Sequence, residues 1–275
     1  MTETAEQRCR RYRRRILEIS RQVTAAHIAP AFSCLEIVDA LYNGVMREQD
    51  IFIMSKGHGC LAQYVVLEDL GKLPRAALDY YCLPVPQHFG NTLPQLGAHP
   101  DYAPALGIHA STGSLGHGLG IAAGQALAEK LRGSDVWVYV LLSDGECQEG
   151  STWEAAMVAA NLRLDNLIAV VDHNDFGGMD RMSEHHPALD PLGSKFKAFG
   201  WWAKECSGHV TSSIQHSVQS VMPGKRPLGL DCPLVVVCET TKGFPISFMC
   251  NNSIWHYRSP SPEEYKQALE ELSDE

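Results

Sequence analysis

Four runs of this 275-residue sequence are largely apolar without alternation: "IFIM" at 51–54, "VWVYVLL" at 136–142, "LIAVV" at 167–171 and "PLVVVCET" at 233–240. A strand with one wet face alternates apolar and polar residues, whereas a strand covered on both faces has no such constraint. Helical spacing of Ile, Leu and Val separates the runs, over 8–25, 33–46, 58–70, 116–132, 150–163, 190–199 and 211–222. One more strand is expected at "WWAKEC", 201–206, and a tail helix over 261–275. Doubly buried strands alternating with helices predict an α/β fold, a mostly parallel sheet flanked by helices on both faces. With 45% apolar residues the chain can bury one sizeable core, so a single domain over 1–275 is expected.

The rhythm breaks between 72 and 115, where six of the fifteen prolines fall. Compact domains keep such long ordered loops for function, so this one is expected at the active site. A net charge of -9 argues against a nucleic-acid binder, because phosphate neutralisation needs a basic face. The one basic run, "RCRRYRRR" at 8–15, reads as a solvated helical face or an intersubunit contact, with grip on an anionic partner as the alternative. The nine cysteines include no Cys-x-x-Cys pair, and no signal peptide precedes them, so they read as reduced thiols in a cytoplasmic protein. No run approaches the roughly 20 apolar residues that span a bilayer, and no membrane partner is expected.

In an open parallel sheet, ligands bind beyond the carboxyl ends of the strands. Two turns lie at that edge: Asp144-Gly145 after one run and His173-Asn174 after the next. Asp144 offers a charged oxygen, Asn174 a neutral amide oxygen, and Gly145 lets a backbone approach closely. Together they form a half-shell for a hard cation such as Mg2+, which takes the rest of its ligands from water and phosphate. The helix that opens at Gly150 adds amide donors suited to phosphate. A diphosphate bridged by Mg2+ is the guest this chemistry suits. Either turn alone is more often merely a turn.

Asp144-Gly145, 27 residues, then His173-Asn174 resembles the thiamine diphosphate motif, with Ser143 and His173 departing from its usual residues. From about Arg14 to Pro260 the chain resembles the amino-terminal half of transketolase. "SKGHG", "HASTGSLGHGLGIAAG", "SDGECQEGSTWEAA" and "NNSIWH" occur in that family's order and spacing, most like the form split into two polypeptides. The resemblance implies thiamine diphosphate and Mg2+ as cofactors. It assigns Asp144, Asn174 and the Phe176 carbonyl to the metal, with Asn174, Gly145 and Glu146 beside the diphosphate. "STGSLGHGLG" becomes a cofactor wall, with Ser114, Leu115, Gly116 and His117 lining it. As a dinucleotide loop the same glycines fail, because no strand directly precedes them.

Imidazoles titrating near neutrality suit the proton movements of such chemistry. The resemblance points to His58, His99 and His256 around the cofactor's thiazolium and the donor substrate, with His58 and His256 also contacting the cofactor. His27 belongs to the same catalytic set, although "AHIAP" lacks the proline and glycine turn usual there, which leaves its substrate contact open. Glu149 reads either as a helix-dipole partner or, by resemblance, as part of an acidic network linking paired sites. His185 and His186 read as solvated.

A thiamine enzyme activates its cofactor through a glutamate that, in transketolase, lies carboxyl-terminal to the diphosphate domain. The resemblance therefore implies a heterotetramer with separate carboxyl-terminal-half subunits, a sugar phosphate substrate, and transfer of a two-carbon ketol unit. Three alternatives stand beside it: delivery of that unit to a lipoyl or carrier-protein arm, a 2-oxo acid dehydrogenase component, and a non-catalytic cofactor-binding or regulatory subunit.

Overall fold

Alternate residues of each long strand pack into opposite cores, which is why the sequence shows no alternation. Val138, Val140 and Leu142 join one buried cluster, while Tyr139 and Leu141 join the other. In the computed structural model, which describes residues 3–90, 92–220, 222 and 231–273, the strands are β1 (Ile51–Met54), β2 (Val138–Ser143), β3 (Leu167–His173), β6 (Trp202–Ser207) and β7 (Leu234–Glu239). They form one parallel sheet in the order β1-β2-β3-β7-β6. A two-stranded ribbon, β4 (Phe176–Gly177) with β5 (Asp180–Arg181), follows β3; nothing in the hydrophobic pattern signals it.

The helices are α1 (Ala5–Ser20), α2 (Ile28–Gly44), α3 (Cys60–Asp69), α4 (Arg75–Asp79), α5 (Gly118–Arg132), α6 (Gly150–Asn161), α7 (Met182–His185), α8 (Leu192–Ala198), α9 (Thr211–Gln219) and α10 (Pro262–Glu271). Side chains of α1, α2, α3 and α9 fill one face of the sheet, and those of α5, α6 and α8 the other. The fold is thus the expected one, with shifted boundaries. α1 starts early because Thr4 and Gln7 form a capping box, and it stops at Ser20, short of residue 25. α2 starts at Ile28 although Pro30 stands in its first turn, where a missing N–H does no harm. The tail helix ends at Glu271; residues 274 and 275 lie outside the described residues, as does 221 at the end expected for α9.

Residues 72–115 carry α4 and two short 3-10 turns, Gln87–Phe89 and Pro104–Leu106, where unbroken loop was expected; residue 91 lies outside the described residues. Leu73, Leu78, Tyr81, Leu96 and Ile108 are buried, so this stretch is anchored in the main core. The solvated arginine face is not met for Arg13 and Arg15. Arg13 pairs with Glu36 at 2.6 Å with both side chains buried, and Arg15 pairs with Glu68 at 3.0 Å and Asp79 at 2.7 Å. α2, α3 and α4 present carboxylates to α1, which turns a basic run into internal pairing. All nine cysteines are free thiols. No helix among the described residues is long and apolar enough to cross a membrane.

Candidate active site

Because the sheet is parallel, β1, β2, β3 and β7 release their following turns at one edge, and the side chains of interest leave from there. Asp144 is 1% exposed. Its Oδ1 accepts from the Gly145 N–H at 2.8 Å, and its Oδ2 from Asn174 N–H at 3.0 Å and Asp175 N–H at 2.6 Å. The two turns read from the sequence are therefore fastened to each other. Asn174 donates its amide Nδ2 to Asp172 at 3.2 Å, and its Oδ1 accepts from the Phe176 N–H at 3.2 Å. A Cβ added to Gly145 would lie 3.3 Å from the Phe176 carbonyl oxygen, so that carbonyl joins the same spot.

Burial, reinforced by the Asp172 carboxylate, pushes the Asp144 carboxyl up to about 6. The spot thus concentrates negative charge and oxygen donors without dispersing them, which fits a hard cation. Among the described residues no cluster of three or more His, Cys, Asp or Glu could hold a metal. A cation here would rest on one carboxylate, one amide oxygen and one backbone carbonyl, and would draw further ligands from a bound phosphate and water.

Behind these turns sits a polar hub that the motif reading passed over. Asp172 and Lys56 are both fully buried and paired, and Asp172 also accepts from the Ser33 hydroxyl at 2.6 Å and from the Thr240 hydroxyl. Burial alone would lower the Lys56 ammonium, but the Asp172 carboxylate more than offsets it and the pair stays ionised. Lys56 stood inside "SKGHG", and its place two residues before a matched histidine was the available signal.

A cavity of about 330 Å³ opens in front of the hub, lined by His27, His58, His99, His256, Leu115, Gly145, Glu149 and Phe176 among others. His27 is its centre: ring centroids lie 5.8 Å from His58, 5.4 Å from His99 and 5.5 Å from His256. The altered "AHIAP" segment leaves His27 in place because α2 begins directly after it. Tyr257 covers the His27 ring at 4.4 Å. Lys242, 2% exposed, donates to the Gly178 carbonyl at 2.7 Å and stands 3.0 Å from His256 Nδ1. The sequence reading missed it too.

The imidazoles do not titrate near neutrality as expected. Burial, helped by His256, His99 and the lysines, takes His27 down to about 3; burial with Lys242 and Lys56 takes His256 to about 4. His58 and His99 are also lowered, chiefly by burial. At neutral pH all four are uncharged rings, able to donate from one nitrogen and accept at the other. The positive charge at the cavity comes from Lys56 and Lys242, the latter lowered by burial to about 8.

The glycine-rich segment meets the site only in part. Leu115 lines the cavity, whereas Ser114 and His117 are exposed, with His117 Nδ1 3.0 Å from the Leu115 carbonyl oxygen. Gly116 has φ +83°, and its N–H donates to Glu146 Oε1 at 2.9 Å; a Cβ there would lie 2.6 Å from the Glu149 Cβ. Glu146 is fully buried, accepts the Ser55 hydroxyl at Oε1, and keeps Oε2 without a partner among the described residues. His27 Nδ1 is likewise buried and unpartnered. Orphaned atoms beside a glycine-lined cavity fit a polar guest. Glu149 is exposed at the N-cap of α6, its carbonyl accepting from Thr152 N–H at 3.1 Å, and makes no side-chain cap bond. His185 and His186 are exposed, as expected. A larger cavity, about 480 Å³, lies elsewhere, between α1, the start of α9 and residues 244–245.

Residues 22–271 match the family model described as transketolase, thiamine diphosphate binding domain. An apulose-4-phosphate transketolase subunit from Actinobacillus succinogenes is 38% identical, over 98% of this chain and 96% of that subunit. The 6-deoxy-6-sulfo-D-fructose transketolase subunit SqwG of a Clostridium species is 35% identical, over 96% and 94%. Human transketolase is 30% identical over 90% of this chain, which covers only 38% of that protein. In structure, transketolase from Leishmania mexicana superposes with a TM-score of 0.86 at 22% identity, covering 99% of this chain and 42% of that one. The chain therefore belongs to the transketolase thiamine diphosphate-binding domain family.

Proposed function

We propose that this chain binds thiamine diphosphate and Mg2+ and, with a separate carboxyl-terminal-half subunit, transfers a two-carbon ketol unit from a ketose phosphate to an acceptor. The observation that carries the reading is one cavity lined by four uncharged imidazoles and by Gly145 and Phe176, with the buried Asp144 and Asn174 fastened together directly behind those two residues. When bound, thiamine diphosphate supplies the carbon nucleophile and the electron sink. Asp144, Asn174 Oδ1 and the Phe176 carbonyl hold the Mg2+; Gly145 leaves room for the diphosphate, and Leu115 and Gly116 form the wall beside it.

His27, His99 and His256 face the donor. Each neutral ring can take a hydroxyl proton at one nitrogen while the other holds a hydrogen bond, as moving a proton between substrate oxygens requires. His58, 5.8 Å from the His27 ring and 5.4 Å from that of His256, would contact the cofactor. Lys242, charged below pH of about 8 and 3.0 Å from His256 Nδ1, keeps that ring neutral and favours negative charge developing on a substrate oxygen. Glu149, exposed and lining the cavity, is assigned to contact with a neighbouring chain.

Relatives named for a sugar phosphate and a sulfo-sugar support a sugar donor over a carrier-protein arm. That two such relatives are named as subunits supports a partner polypeptide, and the assembly proposed is a heterotetramer of two copies of each. The test is to purify the chain alone and with a transketolase carboxyl-terminal-half polypeptide, then follow ketose cleavage with ferricyanide as electron acceptor. Turnover should arise on mixing and saturate near one to one. Robust turnover by the isolated chain, or none from the pair with any ketose phosphate, would overturn the proposal.

A further inference from the structure

His27 and the Lys242–His256 wall come from distant parts of the chain, α2 and the segment after β7. Their spacing must be set by whatever ties those two elements together. Ala29, Phe32 and Glu36 recur at helical spacing on one face of α2, and all three bond toward the segment after β7 or its anchor. The Ala29 carbonyl accepts from the Gly243 N–H at 3.3 Å. Arg13 donates to the Phe32 carbonyl at 3.2 Å and to the Phe244 carbonyl at 3.0 Å, while gripping Glu36 at 2.6 and 2.8 Å. His209 Nδ1 lies 3.2 Å from Glu36 Oε2, and its ring stacks on Phe244 at 4.0 Å.

The decisive contact is at the other nitrogen. Thr241 N–H donates to His209 Nε2 at 2.8 Å. A backbone N–H can only donate, so Nε2 is the acceptor and the ring proton sits on Nδ1, directed at Glu36. Thr241 is followed at once by Lys242, and Thr240 is held from the other side by Asp172. Arg13, Glu36 and His209 line the larger cavity, and none of them lines the histidine cavity. Their hydrogen-bonded link toward that cavity runs through Thr241.

We propose that Arg13, Glu36 and His209 form a positioning unit in which the His209–Thr241 bond aims Lys242 and His256 across the cavity at His27. The inference rests on the reading of those three residues as the donor wall. Glutamine carries an acceptor about where Nε2 stands, and asparagine a polar group about where Nδ1 stands. The two variants therefore keep different halves of the unit.

The experiment measures kcat and KM for a ketose phosphate, at saturating thiamine diphosphate and Mg2+ and with a transketolase carboxyl-terminal-half polypeptide, for His209→Gln, His209→Asn and His209→Ala. Misaim of a reacting group by about 1 Å costs on the order of 10²-fold. His209→Asn and His209→Ala should thus lose about tenfold or more in kcat, with cofactor affinity little changed, and His209→Gln should stay near the parent. A merely structural role, supporting Glu36 and filling space, would favour asparagine, so His209→Asn equal to or better than His209→Gln overturns the inference. Should the alanine variant not fold, the Gln and Asn pair still decides. Independently of any activity, nitrogen-15 spectra of the histidine rings should show His256 displaced in the asparagine variant and unmoved in the glutamine variant; the reverse, or no displacement in either, overturns it. A parent pair that cleaves no ketose refutes the proposed function instead, and the ring spectra then settle the positioning unit alone.

Discussion

Replacing Lys56 with Met removes one charge from a place no water reaches while nearly preserving side-chain length. Lys56 is fully buried and donates to Asp172, to the Pro30 carbonyl at 3.0 Å and to the Ser33 hydroxyl at 3.4 Å. The variant strands a buried carboxylate, and breaking a buried pair from one side costs about 3–5 kcal/mol. Ser33, Thr240 and the Asn174 amide still donate to Asp172, which places the expected loss near the lower end, about 3 kcal/mol. At roughly 2–4 °C per kcal/mol for a chain of this size, the melting temperature should fall by about 6–12 °C. Urea and thermal unfolding at pH 7, followed by far-ultraviolet circular dichroism, provide the measurement. Adding Asp172→Asn removes the stranded charge and should restore at least half of the loss. A Lys56→Met variant within about 1 kcal/mol of the parent, or a double variant no better than the single, would refute the account of the hub.

Acid should unfold the isolated chain through its histidines. His27 at about 3 and His256 at about 4 lie below the ordinary value of 6.5. From pH 6.5 downward the unfolded chain therefore takes up protons that the folded chain refuses. Stability is full above that pH and falls as pH drops toward the folded values, by about 1.4 kcal/mol per pH unit for each such proton. The urea midpoint should decline between pH 7 and 5, less steeply in His27→Asn; a flat profile contradicts the burial of these rings. Asp144→Ala should abolish Mg2+-dependent binding of thiamine diphosphate by titration calorimetry. Because its carboxylate accepts three backbone N–H bonds, the same variant should also lose about 2–4 kcal/mol of stability. Binding within threefold of the parent would remove Asp144 from the metal site.

The sheet was readable because its strands are buried on both faces, and burial on both faces writes itself as unbroken apolar runs. Asp144 and Asn174 were readable for a related reason: turns at the carboxyl ends of neighbouring parallel strands converge, whatever the family. Lys56 and Lys242 were not, because a lysine in a short Gly-flanked segment looks the same whether it is solvated or buried; the difference lies in Asp172 and Gly178, which only the fold brings near. Arg13 and Arg15 failed for the mirror reason. Their carboxylate partners belong to helices that follow in sequence, and no local pattern says that α1 turns its basic side inward. His27, His58 and His256 titrate lower than expected because burial, and after it two lysine charges, disfavour the protonated ring; His99 is lowered by burial.

The order β1-β2-β3-β7-β6 places β7, the last of these five strands in sequence, between two that leave the ribosome earlier. Until residues 234–239 emerge, β3 has a bare edge on one side and β6 has no sheet neighbour among the described residues. During synthesis the nascent chain therefore carries "LIAVV" as an open edge, a ready template for pairing with another chain. The first pairing is no quicker, since Ile51 meets Val138 only after the proline-rich stretch between them has been looped out. Thr240, which reaches Asp172 from the end of β7, closes the hub in the same event. A fragment stopped before 234 would thus lack more than its end: its sheet would be split, and release from the ribosome before β7 inserts would expose a sticky strand rather than a smaller stable domain.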